Sequence, residues 1–164
     1  MATQKLLGAL AAVALLAACG SDSSSDQAAT GTGGAGSGLG GSGQARPGSQ
    51  EDLVANIGDR VFFETDRSNI RADQRPVLER QAGWMRQYPQ VQVMVEGHAD
   101  ERGTREYNLA LGQRRANAAR DVLVANGVSG ARVSTISYGK DRPTALGSSE
   151  DAWAQNRRAV TVVR

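Results

Sequence analysis

VEGHADERGTREYNLALGQRRANAARDVL, residues Val95–Leu123, changes its period in the middle, and that change decides the fold. Up to Gly97 the chain, read as VQVMVEG from Val91, alternates apolar and polar residues in the manner of a half-buried strand. Beyond Thr104 the apolar positions Leu111, Ala118, Ala119, Val122 and Leu123 return at helical spacing. Thr104 carries an N-cap side chain and Gly127 can close the C-terminus, so a helix is expected over about Arg105–Asn126. The junction holds the chain's only histidine, His98, then Asp100, Glu101 and Arg102 before a Gly103–Thr104 step. Carboxylates and guanidiniums gathered at a strand–helix junction raise the question of what ligand needs both.

Working outward, RVFFE at Arg60–Glu64 is rich in aromatic and β-branched residues and reads as a strand. The stretch ADQRPVLERQAGWMRQYP places Val77, Leu78, Gln81, Ala82, Trp84, Met85 and Tyr88 at helical spacing, with Pro76 tolerated only near the helix start. On the C-terminal side ARVSTISYG and RAVTVVR read as strands, with a short helix over about Ser149–Asn156 between them. The order strand, helix, strand, helix, strand, helix, strand predicts an α/β chain of the α+β sandwich type, with helices packed on one sheet of about four strands. SQED at Ser49–Asp52 either caps a short helix over Leu53, Val54 and Ile57 or leads into an extended segment.

The N-terminal third has a different composition. Residues 1–18 carry Lys5 followed by LLGALAAVALLAA, the charge and short apolar run of a cleavable export signal. The run falls short of the roughly 20 apolar residues of a membrane-spanning helix. LAAC at Leu16–Cys19 resembles the bacterial lipobox, which makes Cys19 the expected lipidated residue, and Gly20 in place of aspartate favours the outer membrane. Residues 19–49 are then a Gly/Ser-rich tether in which Leu39 is the one large apolar residue, too little to offset the entropy of ordering. A globular domain is expected over 50–164.

Composition removes several classes of function. The formal charge of +2 is far from the concentrated basic surface of a nucleic-acid binder, so no nucleic-acid partner is expected. One cysteine excludes an internal disulfide and a Cys-rich metal site. HADE offers one histidine and two carboxylates without a second histidine, short of a zinc site, so no metal and no cofactor are expected. No GxSxG nucleophile elbow accompanies His98, so no catalytic residue is assigned, and His98 is expected to be a hydrogen-bonding residue at a strand end.

The opening stretch, together with VFFETDRSNI, SYGKDRP and NRRAV, resembles the OmpA-like periplasmic peptidoglycan-binding domain in its lipoprotein branch. The resemblance covers about Gly58–Arg164, and the lipobox and tether fit the same branch. It implies a mixed sheet and a protein that is not an enzyme. It implies an outer-membrane lipoprotein of the Tol-Pal system that grips the stem peptide of peptidoglycan, supports envelope integrity and outer-membrane constriction at division, and also binds TolB. The alternative is a periplasmic peptidoglycan hydrolase.

The ligand implied by the resemblance is the diaminopimelate residue of the stem, whose side chain ends in an ammonium and a carboxylate. Asp100 matches the family aspartate that accepts the ammonium, and Arg115 the arginine that pairs the carboxylate through its planar fork. Gly103 is implied for the tight loop, Thr104 for the cap, and Asn108 for fixing the loop by hydrogen bonds. Asp66 matches a position near the ligand, as do Asn156 and Arg157, which alternatively brace a loop. The pattern departs from the family at Arg105, where a proline often opens the helix, and at Glu64, often an aspartate. From spacing alone, without the resemblance, the favoured readings are that Asp100 ends the strand in an Asx turn and that Arg115 is one solvated charge on a basic helix face.

Overall fold

The computed structural model describes residues 45–164. The export signal of residues 1–18, Cys19 and the tether up to residue 44 lie outside the described residues. Ser49 settles the first open question: its side chain accepts the Asp52 N–H and starts a short helix, α1 (Gln50–Asp52), which widens into a π-helical turn at Leu53–Ile57. Asp52 fixes this turn to the domain by accepting from Gly48 N, Asn56 Nδ2 and Trp84 Nε1.

Strand β1 (Arg60–Phe62) is followed by α2 (Arg75–Gln87), β2 (Val93–His98), α3 (Arg105–Ala125), a 3-10 turn, β3 (Val133–Gly139), α4 (Glu150–Asn156) and β4 (Arg158–Val163). The sheet order is β1-β4-β2-β3, with β2 and β3 parallel and the other neighbours antiparallel. This is the expected mixed four-stranded α+β architecture, with element ends moved by a residue or two. The parallel pair requires a crossover, and α3 supplies it.

The core lies between the sheet and α2 and α3, built from Val61, Leu78, Ala82, Met85, Val93, Val95, Ala119 and Leu123. On α3 the buried stripe runs Asn108, Leu111, Gly112, Arg115, Ala116, Ala119, Val122 and Leu123, so Ala116 takes the inner place expected of Ala118. The helix ends as its sequence requires. Thr104 accepts the Tyr107 N–H, and beyond Asn126 the Val128 N–H reaches Leu123 O and the Gly127 N–H reaches Val124 O, a Schellman closure. No helix of the described residues is long and apolar enough to cross a membrane.

His98 departs from expectation. Its ring is buried at 2% exposure, and neither Nδ1 nor Nε2 has a hydrogen-bond partner among the described residues. It packs against the Tyr138 ring, with Glu96 Oε2 at 3.7 Å from Nε2. Burial, with the charges of Arg158 and Arg142, pulls its pKa down to about 4. The residue does bond at a strand end, but through its main-chain carbonyl, which accepts from Arg115.

Candidate functional site

Where β2 runs out into the Ala99–Thr104 loop, three structural pieces meet: that loop, the first turns of α3, and the Phe63–Arg67 segment after β1. Between them is a cavity of about 260 Å³. Asp66, Asp100, Gly103 and Asn108 line it, four of the residues singled out in the sequence, joined by Thr65, Arg102, Tyr107 and Leu111.

Each wall residue is fixed by a local cause. Gly103 has φ +90, the left-handed region that suits glycine, and this lets the loop turn into α3. Asn108, buried on the inner stripe, donates from Nδ2 to Arg102 O and so ties the loop back to the helix. Thr104 supplies the cap beneath. Asp66 has φ +57, the one non-glycine residue at positive φ among the described residues. Aspartate tolerates this region better than most side chains, and the Tyr107 hydroxyl donates to Asp66 Oδ1 and holds it there.

Asp100 is nearly buried and heavily bonded. Oδ1 accepts the Arg102 backbone N–H at 3.1 Å, an Asx turn, and Arg102 Nε at 3.2 Å. Oδ2 accepts Arg102 Nη2 at 2.7 Å and Arg157 Nη1 at 3.4 Å. Burial pushes the carboxyl upward, but the Arg102 hydrogen bonds and charge, with Arg157 behind, more than offset it and hold the pKa below the ordinary carboxylate value. The Asx turn and the two-arginine clamp therefore coexist at one side chain.

Arg115 lies behind the cavity wall at 0% exposure. Its side chain leans toward the helix start, as helical geometry requires, and spends its donors on main-chain carbonyls: Nε to Arg67 O, Nη1 to His98 O and Nη2 to Glu64 O, at 2.8–3.0 Å. The guanidinium carbon sits 5.1 Å from the Phe63 ring centroid. These bonds leave uncommitted N–H donors on Nη1 and Nη2. Burial lowers its pKa to about 10 although Asp100 is near enough to oppose the shift. Asp100 and Arg115 are thus brought to one place without pairing with each other.

The remaining two sequence candidates separate. Arg157 donates to Phe63 O, Asp100 Oδ2 and Glu150 Oε1, which makes it the fixed partner behind Asp100. Asn156 faces a second cavity and braces the loop after β3, its Oδ1 accepting from Thr144 N and Ala145 N and its Nδ2 donating to Ala145 O. Sequence reasoning missed Arg102 and Tyr107. The signal for Arg102 was its place two residues beyond Asp100, the reach of a local carboxylate–arginine pair.

Fold and site together define a class of protein. Residues 62–157 match the OmpA family. The peptidoglycan-associated lipoprotein of Mesorhizobium japonicum is 56% identical over 156 residues, covering 94% of this chain and 89% of its own length. The crystal structure of the peptidoglycan-associated lipoprotein from Burkholderia pseudomallei superposes with a TM-score of 0.65 at 39% identity, covering 69% of this chain and all of that one. The C-terminal domain of MotB from Helicobacter pylori superposes at 0.61 with 27% identity, over 65% of this chain and 84% of its own. The chain belongs to the OmpA family, in the group of peptidoglycan-associated lipoproteins.

Proposed function

We propose that the domain grips the stem peptide of peptidoglycan non-covalently, through the two-signed end of its diaminopimelate side chain. One observation carries this reading: a small cavity walled by the carboxylates of Asp100 and Asp66 backs onto a buried arginine, Arg115, that has no carboxylate bonded to it among the described residues. Asp100 takes the ligand ammonium. The ligand carboxylate takes the free donors and the field of Arg115, whose charge is disfavoured by burial and gains from any anion brought beside it. Gly103, Thr104, Asn108 and Asp66 shape the cavity, Arg157 steadies Asp100, and Asn156 supports from the neighbouring loop. The relatives named peptidoglycan-associated lipoprotein support the ligand class.

In the same proposal Cys19 is lipidated and holds the protein at the outer membrane, the tether lets the domain reach the wall, and the protein works with TolB in the Tol-Pal system to maintain the envelope and draw it in at division. The role is binding rather than hydrolysis. His98, the chain's one histidine, is buried against Tyr138 and absent from the cavity wall, so it is not placed as a general base there. The test is co-sedimentation of the purified protein with sacculi. Binding that free diaminopimelate competes away, with no muropeptides released, is expected; binding indifferent to diaminopimelate overturns the site, and released muropeptides overturn the binding-only role.

A further inference from the structure

The proposed ammonium position at Asp100 is already filled by a cation of the protein itself. Arg102 Nε and Nη2 take both oxygens of Asp100, and the guanidinium stacks on the Trp153 ring at 4.1 Å from its centroid. The other two donors to Asp100 differ in kind. The Arg102 backbone N–H belongs to the Asx turn and stays whatever the side chain does. Arg157, with a side chain 6% exposed, is locked between Phe63 O and Glu150. The Arg102 side chain is 39% exposed, lines the cavity and, among the described residues, makes one further polar contact, Nη2 to Thr65 Oγ1 at 3.5 Å. It is the partner that can leave.

We propose that Arg102 is an intramolecular stand-in for the ligand ammonium, so that ligand binding is an exchange of ion pairs in which Arg102 passes from Asp100 to the ligand's carboxylate. This rests on Asp100 being the ammonium partner, as proposed above. The exchange sets specificity by charge accounting. A side chain ending in both ammonium and carboxylate replaces Arg102 on Asp100 and gives it a new partner, so every charge stays paired. A side chain ending in ammonium alone evicts Arg102 and leaves it without a bonded carboxylate, with only the through-space charge of Glu150 and Glu101, themselves held by Arg157 and Trp153, near it. Arg102 therefore weakens binding of any lone cation and selects for a two-signed ligand, a job distinct from that of Arg115, whose place is fixed by three carbonyls. Trp153 gives the displaced guanidinium a surface to slide on, since its Nε1 is itself held by Glu101 Oε1.

The test compares two synthetic stem tetrapeptides that differ only in carrying meso-diaminopimelate or lysine at the third position. Calorimetric titration uses the full-length protein in detergent, as wild type, Arg102→Ala and Arg102→Lys, each checked for an unchanged thermal transition. Wild type is expected to prefer the diaminopimelate peptide. Arg102→Ala is expected to bind the lysine peptide better than wild type and to lose about tenfold or more of the preference, the worth of one charge-assisted bond. Arg102→Lys, which keeps the charge, is expected to retain most of it. Equal weakening of both peptides by Arg102→Ala overturns the exchange and leaves the site standing; failure of wild type to bind either peptide overturns the site and the exchange with it. A second readout needs no variant. The Arg102 Nε–H resonance of the wild type must move as the diaminopimelate peptide saturates, and a resonance unmoved at saturation also overturns the exchange.

Discussion

Gly97 and Gly112 meet backbone to backbone where α3 crosses β2. A Cβ built on Gly97 would lie 1.8 Å from the Gly112 carbonyl oxygen, and one built on Gly112 would lie 2.3 Å from Ser137 Oγ and 2.9 Å from Gly97 O. No side chain fits between the two elements. The contact seats α3 on the sheet at the height where Arg115, about one turn further on, reaches His98 O at the end of β2. Geometry at the cavity therefore depends on two glycines that touch no ligand position.

Gly97→Ala is expected to cost about 1–3 kcal/mol of stability or more, because the blocking atoms are backbone and α3 must lift. Gly112→Ala meets a serine side chain first and should cost less. Urea unfolding measures both. Sacculus binding by whatever remains folded should fall as well, since Arg115 moves with the helix. A Gly97→Ala protein as stable as wild type would show that the contact is loose.

Arg115 and Asp100 should separate stability from binding. Arg115→Lys keeps a charge but lacks the planar fork that reaches two carbonyls of the Phe63–Arg67 segment and one at the end of β2 together, and buried acceptors left unpaired cost about 1–3 kcal/mol each. A large loss of thermal stability is expected from Arg115→Lys and a larger one from Arg115→Ala. Asp100→Asn preserves the shape of the Asx turn and leaves Arg157 its Glu150 partner, so stability should fall by about 1–2 kcal/mol while stem-peptide binding falls by about 2–5 kcal/mol. If Asp100→Asn binds like wild type, the carboxylate is only a turn residue.

These contrasts show how far the sequence could be read. Period and caps were legible because they are local: Thr104, the strand over Val91–Gly97 and the Ser149–Asn156 helix each stand close to where their own neighbours imply. But β2 lies between β4 and β3 and is buried on both faces rather than half-buried as its alternation suggests. Leu111, Ala119, Val122 and Leu123 fix the inner face of α3 and Arg115 falls on it, yet the reading from spacing leaves Arg115 a solvated charge, and the structure corrects that reading. What the sequence withheld is long-range. That Arg115 answers carbonyls of Glu64, Arg67 and His98 depends on sheet order, and that Gly97 and Gly112 touch depends on how the crossover helix lies. The stand-in role of Arg102 was hidden for another reason: a loop arginine has many partners in reach, and Trp153 on α4 helps select one.

Cys19→Ser tests the anchor. Acyl chains contribute about 0.8 kcal/mol per buried methylene, so a lipidated protein carrying several chains stays in the membrane and an unlipidated one does not. Cell fractionation should find the variant in the soluble periplasm, with stem-peptide binding of the purified protein unchanged. Membrane retention of the variant at wild-type levels would count against lipidation at this residue.

His98 should make stability depend on pH below neutrality. The groups facing its ring are Glu96 at 3.7 Å, Tyr138, Arg158 and Arg142. Burial and the two arginines hold the folded-state pKa near 4, against 6.5 for an ordinary histidine. A depressed pKa on a base means that the unfolded chain takes up the proton first. Above pH 6.5 both states carry neutral imidazole and His98 adds no pH dependence. As pH falls from 6.5 toward 4, protonation stabilises the unfolded chain alone, and stability drops by about 2–3 kcal/mol over that window. Below pH 4 both states are protonated and the loss levels off. His98→Phe removes the titrating group and leaves the carboxylates common to both proteins. The difference in unfolding free energy between wild type and His98→Phe, from urea titrations at steps of pH, should therefore change through that window and be flat above pH 7. Two profiles that run parallel from pH 4 to 7 would mean that His98 gains its proton as readily folded as unfolded.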